Sequence, residues 1–236
     1  ASCGGSFIGG AVRRGISASV WHGGGGGLLA LKFGGYAGGL VLLTLELVLD
    51  ALGFVGVGGQ GTLLASRILG NAIISQGYDV KLSEVHGMSQ RGGSVVTYVK
   101  YGEKVYSPII DKGEADIILA FEMLEAYRAL PYLKKGGKII INNQQIDPMP
   151  VITGAAEYPA EIEKKIGEKT DLTCVDALSL ARKAGNIKAV NVVLIGLLAK
   201  SMSIEKETWI EVIKETVPAK FLELNLKAFE LGYSFG

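Results

Sequence analysis

Two short stretches concentrate the residues that could bind or position charge. The first is GVGGQG, where Gly56, Gly58 and Gly61 stand in a G-x-G-x-x-G spacing with Gly59 and Gln60 between them. At a strand-to-helix junction such glycines permit a tight turn and let an anion approach the free N–H groups of the helix. Glu84, 23 residues past Gly61, is a weak candidate for the acid that would hold a ribose, because this reading leaves it outside the next strand. The same glycines would equally serve a turn packed against protein.

The second stretch is SEVHGMSQRGGSV, Ser83 to Val95, which gathers His86, Ser89, Gln90 and Arg91 ahead of Gly92 and Gly93. A guanidinium held beside two glycines is shaped to fork onto a carboxylate or a phosphate. A salt bridge from Arg91 to a neighbouring acid is the plainer alternative. Gly92 and Gly93 read as positions of positive φ or close backbone packing before a strand. His86 reads as a hydrogen-bonded loop residue, since no second ligand stands at metal-binding spacing.

Catalytic machinery is otherwise sparse. The only other histidine is His22, so no Ser–His–Asp or Cys–His set can be nominated. Glu122, Glu125, Asp176 and Glu205 border predicted helices, with Asp176 and Ser203 reading as N-caps. No catalytic residue and no metal ligand is assigned. Cys3 and Cys174 form no C-x-x-C pair, which argues against a disulfide scaffold, a zinc site or an iron–sulfur cluster in this chain. A reducing, cytoplasmic setting follows.

The elements that must carry these stretches alternate. FVGVGGQG ends a short strand, and TLLASRILGNAIISQG is a helix with Leu64, Ile68 and Ala72 on one face. YDVKL and SVVTYVKYG are strands, and Gly102 is expected to turn the latter into KVYSP as a hairpin. ADIILAF and KIIINN read as strands buried on both faces, with EMLEAYRALPYLKKGG a helix between them. AEIEKKIGEK, the strand DLTCVDA and ALSLARKAGN follow. Three helical segments close the chain, and the first of them, AVNVVLIGLLAKSM, is apolar nearly all round. The expected fold is α/β: Rossmann-like and doubly wound, with a mainly parallel sheet, helices on both faces, one antiparallel hairpin and a helical C-terminal region.

Charge and glycine content set further bounds. The 24 basic and 23 acidic residues leave a net charge of +1, so no concentrated basic face for nucleic acid or an acidic membrane is indicated. Of the 34 glycines, 15 fall in residues 1–53, a segment with only five charges and no sustained hydrophobic period. It reads equally as an artefact or misassigned sequence and as a glycine-rich arm. Its uncharged run from Phe33 to Leu45 is shorter than the ~20 residues that span a bilayer.

Together GVGGQGTLLASRIL and EVHGMSQRGGSV resemble the gamma-type domain of 2-oxoacid:ferredoxin oxidoreductases, in particular the small beta subunits that act on indolepyruvate. The resemblance runs through ADIILAFEMLEAYRALPYLKKGGKIIINN and AVNVVLIGLLA to Gly236. It makes residues 54–236 one domain of this type. It implies a heterotetrameric enzyme that converts arylpyruvates, coenzyme A and oxidised ferredoxin into aryl-acetyl-CoA, carbon dioxide and reduced ferredoxin. Thiamine diphosphate and the iron–sulfur clusters would belong to the large alpha subunit, with no cofactor bound by this chain alone. Ferredoxin and coenzyme A would be met through the complex. Two rivals stand beside this reading: an independent NAD(P)-dependent dehydrogenase using Gly56–Gly61, and a non-catalytic protein-interaction module.

Overall fold

The computed structural model describes the backbone of residues 16–23, 26–33, 41–45, 50–84 and 92–235, and the side chains of 50–84 and 92–235. The chain divides into two units, Ala1–Val48 and Leu49–Gly236. In the first, β1 (Ile16–Gly23), β2 (Gly26–Phe33) and β3 (Val41–Leu45) form an antiparallel meander with β2 central. Ile16 lies opposite Phe33 and Gly23 opposite Gly26. Frequent glycines hide this pairing from a reading that looks for alternation.

In the second unit, alternation along β4 (Asp50–Val57) sends successive side chains to opposite faces of a sheet. Leu52 and Phe54 join one apolar cluster, and Ala51 and Val55 join the other. After a glycine turn comes α1 (Thr62–Ser75), which buries Ile68, Leu69, Ala72 and Ile73 as their spacing suggests, together with Ala65, while Leu64 is only partly buried. The strands β5 (Asp79–Glu84) and β6 (Ser94–Gly102) pair antiparallel, and β6 also runs antiparallel to β4. The antiparallel hairpin is therefore β5–β6, and Lys104–Pro108 form no strand.

The chain then crosses to the far side of β4. There β7 (Ala115–Ala120) lies parallel to it, and α2 (Met123–Ala129) follows. This helix is shorter than its apolar pattern suggests. Pro131 admits only a 3-10 turn, Leu130–Tyr132, and the next strand, β8 (Leu133–Asn142), starts at once. Beyond it come α3 (Met149–Ile152), α4 (Ile162–Gly167), β9 (Asp171–Val175) and α5 (Ala177–Ala184). The helices α6 (Val190–Lys200), α7 (Lys206–Thr216) and α8 (Leu222–Tyr233) complete the unit. The sheet order is β5-β6-β4-β7-β8-β9, with parallel pairing from β4 through β9. The structure thus bears out the doubly wound, mainly parallel arrangement with its antiparallel hairpin.

One face carries α1 and the C-terminal helices, and the other carries α2 and α4. Helix α6 is buried from Val190 to Ala199, as its all-round apolarity predicts. It meets α8 so closely that a Cβ at Gly196 would overlap the Phe229 carbonyl, and one at Gly232 the Val193 carbonyl. Asp176 caps α5, accepting from the Ser179 N–H at 2.9 Å. Ser203 is not a cap, because α7 starts later with Glu205 at its N-cap.

Candidate functional site

The strand order reverses between β4 and β7, since α1 leaves on one face and α2 on the other. In open α/β sheets a crevice at the carboxyl ends of the strands forms at that point. Here the protein fills much of it with its own side chains. Gln60 Oε1 accepts from the Val57 N–H at 2.7 Å, while Nε2 donates to the Phe121 carbonyl at 3.0 Å and to Gln144 Oε1 at 3.3 Å. Asn142 Nδ2 donates to the same two oxygens, at 3.1 and 3.2 Å, and its Oδ1 accepts from Ala177 N–H at 3.1 Å. A single polar web therefore ties together the ends of β4, β7 and β8 and the start of α5.

Polar side chains at this edge, Gln60 of the web and Asn191 beside it, explain two of the glycines. A Cβ on Gly56 would lie 2.8 Å from Gln60 Oε1 and 3.0 Å from Phe121 Cβ. A Cβ on Gly61 would lie 2.8 Å from Asn191 Nδ2, and Gly61 also has a φ of 83°, which disfavours any side chain. Both positions are committed to the protein's own packing. Gly59, with φ of 100°, has nothing within 4 Å of its missing Cβ.

Helix α1 begins at Gly61 with no side-chain cap and no acid in its first turn. A cleft of about 260 Å³ opens beside it, lined by Gly58, Gly59 and Thr62 from the turn and by Glu84, Val95 and Thr97 from β5 and β6. Glu84 is the last residue of β5, within the strand rather than beyond it. Its Oε1 accepts from Ser66 Oγ at 3.1 Å, and Ser66 is fully buried. The carboxylate is thereby tied to α1 through one of its oxygens while it lines the cleft beside the glycine turn.

The two motifs singled out in the sequence meet directly. The Gly58 N–H donates to the Gly93 carbonyl at 2.9 Å, joining the glycine turn to the end of the β5–β6 connection. Gly92 has φ of 101°, the left-handed conformation that its residue type suggests. His86, Ser89, Gln90 and Arg91 lie outside the described residues.

Several buried polar residues surround this edge, and of these the sequence reading named only Glu122 and Glu125, as residues bordering a helix. Glu122, 1% exposed, caps α2 by accepting from Glu125 N–H at 2.9 Å. Its other oxygen accepts from Tyr158 Oη at 2.5 Å and Ile146 N–H at 3.2 Å. Burial and this carboxylate hold the Tyr158 phenol above its ordinary range. The E-x-x-E spacing at Glu122 and Glu125 is a legible signal for such a cap. Nothing local announces Asn142, Gln144 or Asn191.

Among the described residues, no three His, Cys, Asp or Glu side chains gather where they could hold a metal. The Cys174 thiol is pushed up to about 11, chiefly by burial and further by Glu163, so it is a poor nucleophile or ligand. No helix among these residues is long and apolar enough to cross a membrane.

A family model described as pyruvate ferredoxin/flavodoxin oxidoreductase matches residues 51–235. Indolepyruvate oxidoreductase subunit IorB of Thermococcus kodakarensis is 48% identical over 183 residues, covering 75% of this chain and 91% of that protein. The pyruvate/ketoisovalerate oxidoreductases common subunit gamma of the same organism is 28% identical over 184 residues, covering 77% and 94%. The crystal structure of the keto/oxoacid ferredoxin oxidoreductase gamma subunit from Geobacter sulfurreducens superposes with a TM-score of 0.59 at 24% identity. That match covers 78% of this chain and 96% of the other, and it bears on the fold alone.

Proposed function

The chain belongs to the pyruvate ferredoxin/flavodoxin oxidoreductase family, and on that footing we propose that it is the small subunit of a ferredoxin-dependent oxidoreductase for indolepyruvate and related arylpyruvates. The reaction cleaves the bond between the carboxylate and keto carbons, releases carbon dioxide, joins the acyl carbon to the coenzyme A sulfur and passes two electrons to ferredoxin. The large subunit carries this chemistry, with thiamine diphosphate and iron–sulfur clusters as its cofactors. The single observation that supports the reading is the 48% identity to an IorB protein across 91% of that protein's length.

In this reading the chain's own residues position rather than react. Gly58 and Gly93, joined by their hydrogen bond, hold the turn and the β5–β6 connection together as one surface. That surface faces the large subunit near its active-site entrance. Gly92 and Gly93 allow close backbone approach, and Arg91 pairs with an anion there: a carboxylate of the large subunit, or a charged group of coenzyme A or the oxoacid. The dinucleotide alternative loses ground because Gln60 occupies the crevice and Glu84 is bonded to Ser66.

Reconstitution with the large subunit tests both levels. The pair should reduce ferredoxin with indolepyruvate and coenzyme A, and this chain alone should not; turnover by the lone chain, or none by the pair, sinks the assignment. Within a working complex, Arg91→Ala should cost tenfold or more in kcat/KM, about 1.4 kcal/mol, while assembly persists. Unchanged assembly, KM and kcat would remove Arg91 from the site.

A further inference from the structure

Gly53 lies in the middle of β4, opposite Tyr98 on one side and Ile118 on the other. On the α2 side of the sheet this leaves one central position without a side chain, and Gly53 lines a hollow of about 200 Å³ there. Val55, Val96, Ile118, Ala129 and Tyr132 are among the side chains that line it. The rings of Tyr98 and Tyr132 form one side, tilted at 40° with centroids 6.4 Å apart. Burial holds the Tyr98 phenol above its ordinary range.

Crowding does not explain the glycine. A Cβ at Gly53 would meet only Ile118 Cγ1, at an ordinary 3.8 Å. A glycine inside a strand weakens it, and marks a bulge, a bend or the close approach of a ligand or another backbone. The register through Gly53 is continuous, so no bulge accounts for it. An apolar hollow left unfilled also forgoes packing contacts. Both losses are avoidable with one larger side chain, yet the centre of the sheet keeps them.

One end of the hollow carries charge. There Ser94 Oγ donates to Glu125 Oε2 at 2.5 Å, and Arg128 Nη1 donates to Glu125 Oε1 at 2.6 Å. The Glu125 side chain is 6% exposed, while Arg128 is half exposed at the rim. A carboxylate offers about four acceptor positions, so each oxygen retains one beyond these bonds. Glu125 lines the hollow, so a ligand donor there could take one of the remaining positions.

We propose that this hollow binds a small neutral aromatic molecule carrying one N–H or O–H donor, of the indole or phenol class. The ring lies over Gly53 between Tyr98 and Ile118, and the donor bonds to Glu125. Size permits it, since an apolar cavity of about 150 Å³ suffices for benzene. An anionic head group would meet the Glu125 carboxylate, whose partner Arg128 is already committed to it, and a ring without a donor would forgo a further bond to that carboxylate. The site is on the sheet face opposite α1 and does not rest on the functional reading above.

Calorimetric titration of the full chain with indole, indene and indole-3-acetate tests this directly. Saturable one-to-one binding of indole is expected, with indene at least tenfold weaker and indole-3-acetate not binding. Gly53→Val places a side chain in the hollow and should abolish indole binding in a chain that still unfolds cooperatively. Should that variant not fold, Gly53→Ala, whose Cβ fits, should weaken indole at least tenfold. No saturable indole binding by the wild type, indene binding as tight as indole, or unaltered indole affinity in a folded Gly53 variant overturns the proposal. Loss of binding on assembly with the large subunit overturns it too, because a partner side chain would then be the occupant.

Discussion

Strand β4 carries two glycines three residues apart, and the molecule treats them in opposite ways. The space that a Cβ of Gly56 would take is already held by Gln60 and Phe121. The space above Gly53 is held by nothing, although that residue is fully inside the sheet. The first belongs to a fingerprint that reads as a nucleotide site, and the second belongs to no motif. The protein's own polar side chains consume the glycine that looks functional, while the inconspicuous one leaves a cavity. What a glycine is for is decided by what occupies the volume beside it, which spacing along the chain does not reveal.

The sharpest break in that contrast is Gly56→Val. Its branched side chain must displace Gln60 and press on Phe121, so the loss should be about 3 kcal/mol, the upper end for overpacking. Urea unfolding of the variant would show it as a lowered midpoint at unchanged slope. Combining it with Gln60→Ala should recover about 1 kcal/mol of coupling, because the two residues contend for one space. A Gly56→Val chain of normal stability would mean the position is as open as Gly53.

Gln60→Ala alone should be milder, costing about 2 kcal/mol, since Val57 N–H loses its partner and Phe121 carbonyl one of its two. The same variant opens the crevice. If Gln60 is what closes this edge to dinucleotides, wild-type chain binds neither NAD(H) nor NADP(H) in a fluorescence titration. Micromolar binding by the wild type would show that the web moves aside, and the dehydrogenase reading would return.

The scale of legibility follows from how far apart the partners are. The apolar face of α1, the fully buried α6 and the Asp176 cap all depend on residues within a few positions of one another, and each was readable from its spacing. The Gln60 web joins residues up to 84 positions apart, through amides that look like any polar loop. The β5–β6 hairpin closes through a connection rather than a tight turn, so Gly102 drew attention to the wrong end of β6. Pro131 marked a helix break correctly, but β8 begins sooner than KIIINN suggests, because the chain enters the sheet at Leu133. For the site itself, the sequence located both motifs, while the hydrogen bond between Gly58 and Gly93 emerged only from the fold.

The smallest effect discriminates most finely. Gly53→Ala adds one methyl group to a strand position whose nearest neighbour would be Ile118 Cγ1 at 3.8 Å. The folded state should accept it unstrained, and the unfolded chain loses conformational freedom, a combination that stabilises by roughly 0.4–1 kcal/mol. For a domain of this size, a gain of 1 kcal/mol raises Tm by about 2–4 °C, within reach of differential scanning calorimetry. A rise would separate Gly53 from Gly56 by sign as well as size. It would also mean that this position forgoes stability that a single methyl could supply, as expected of a volume kept for something other than the chain. A fall of more than 1 kcal/mol would show instead that the space is too tight for a methyl group, and the two glycines would then be alike.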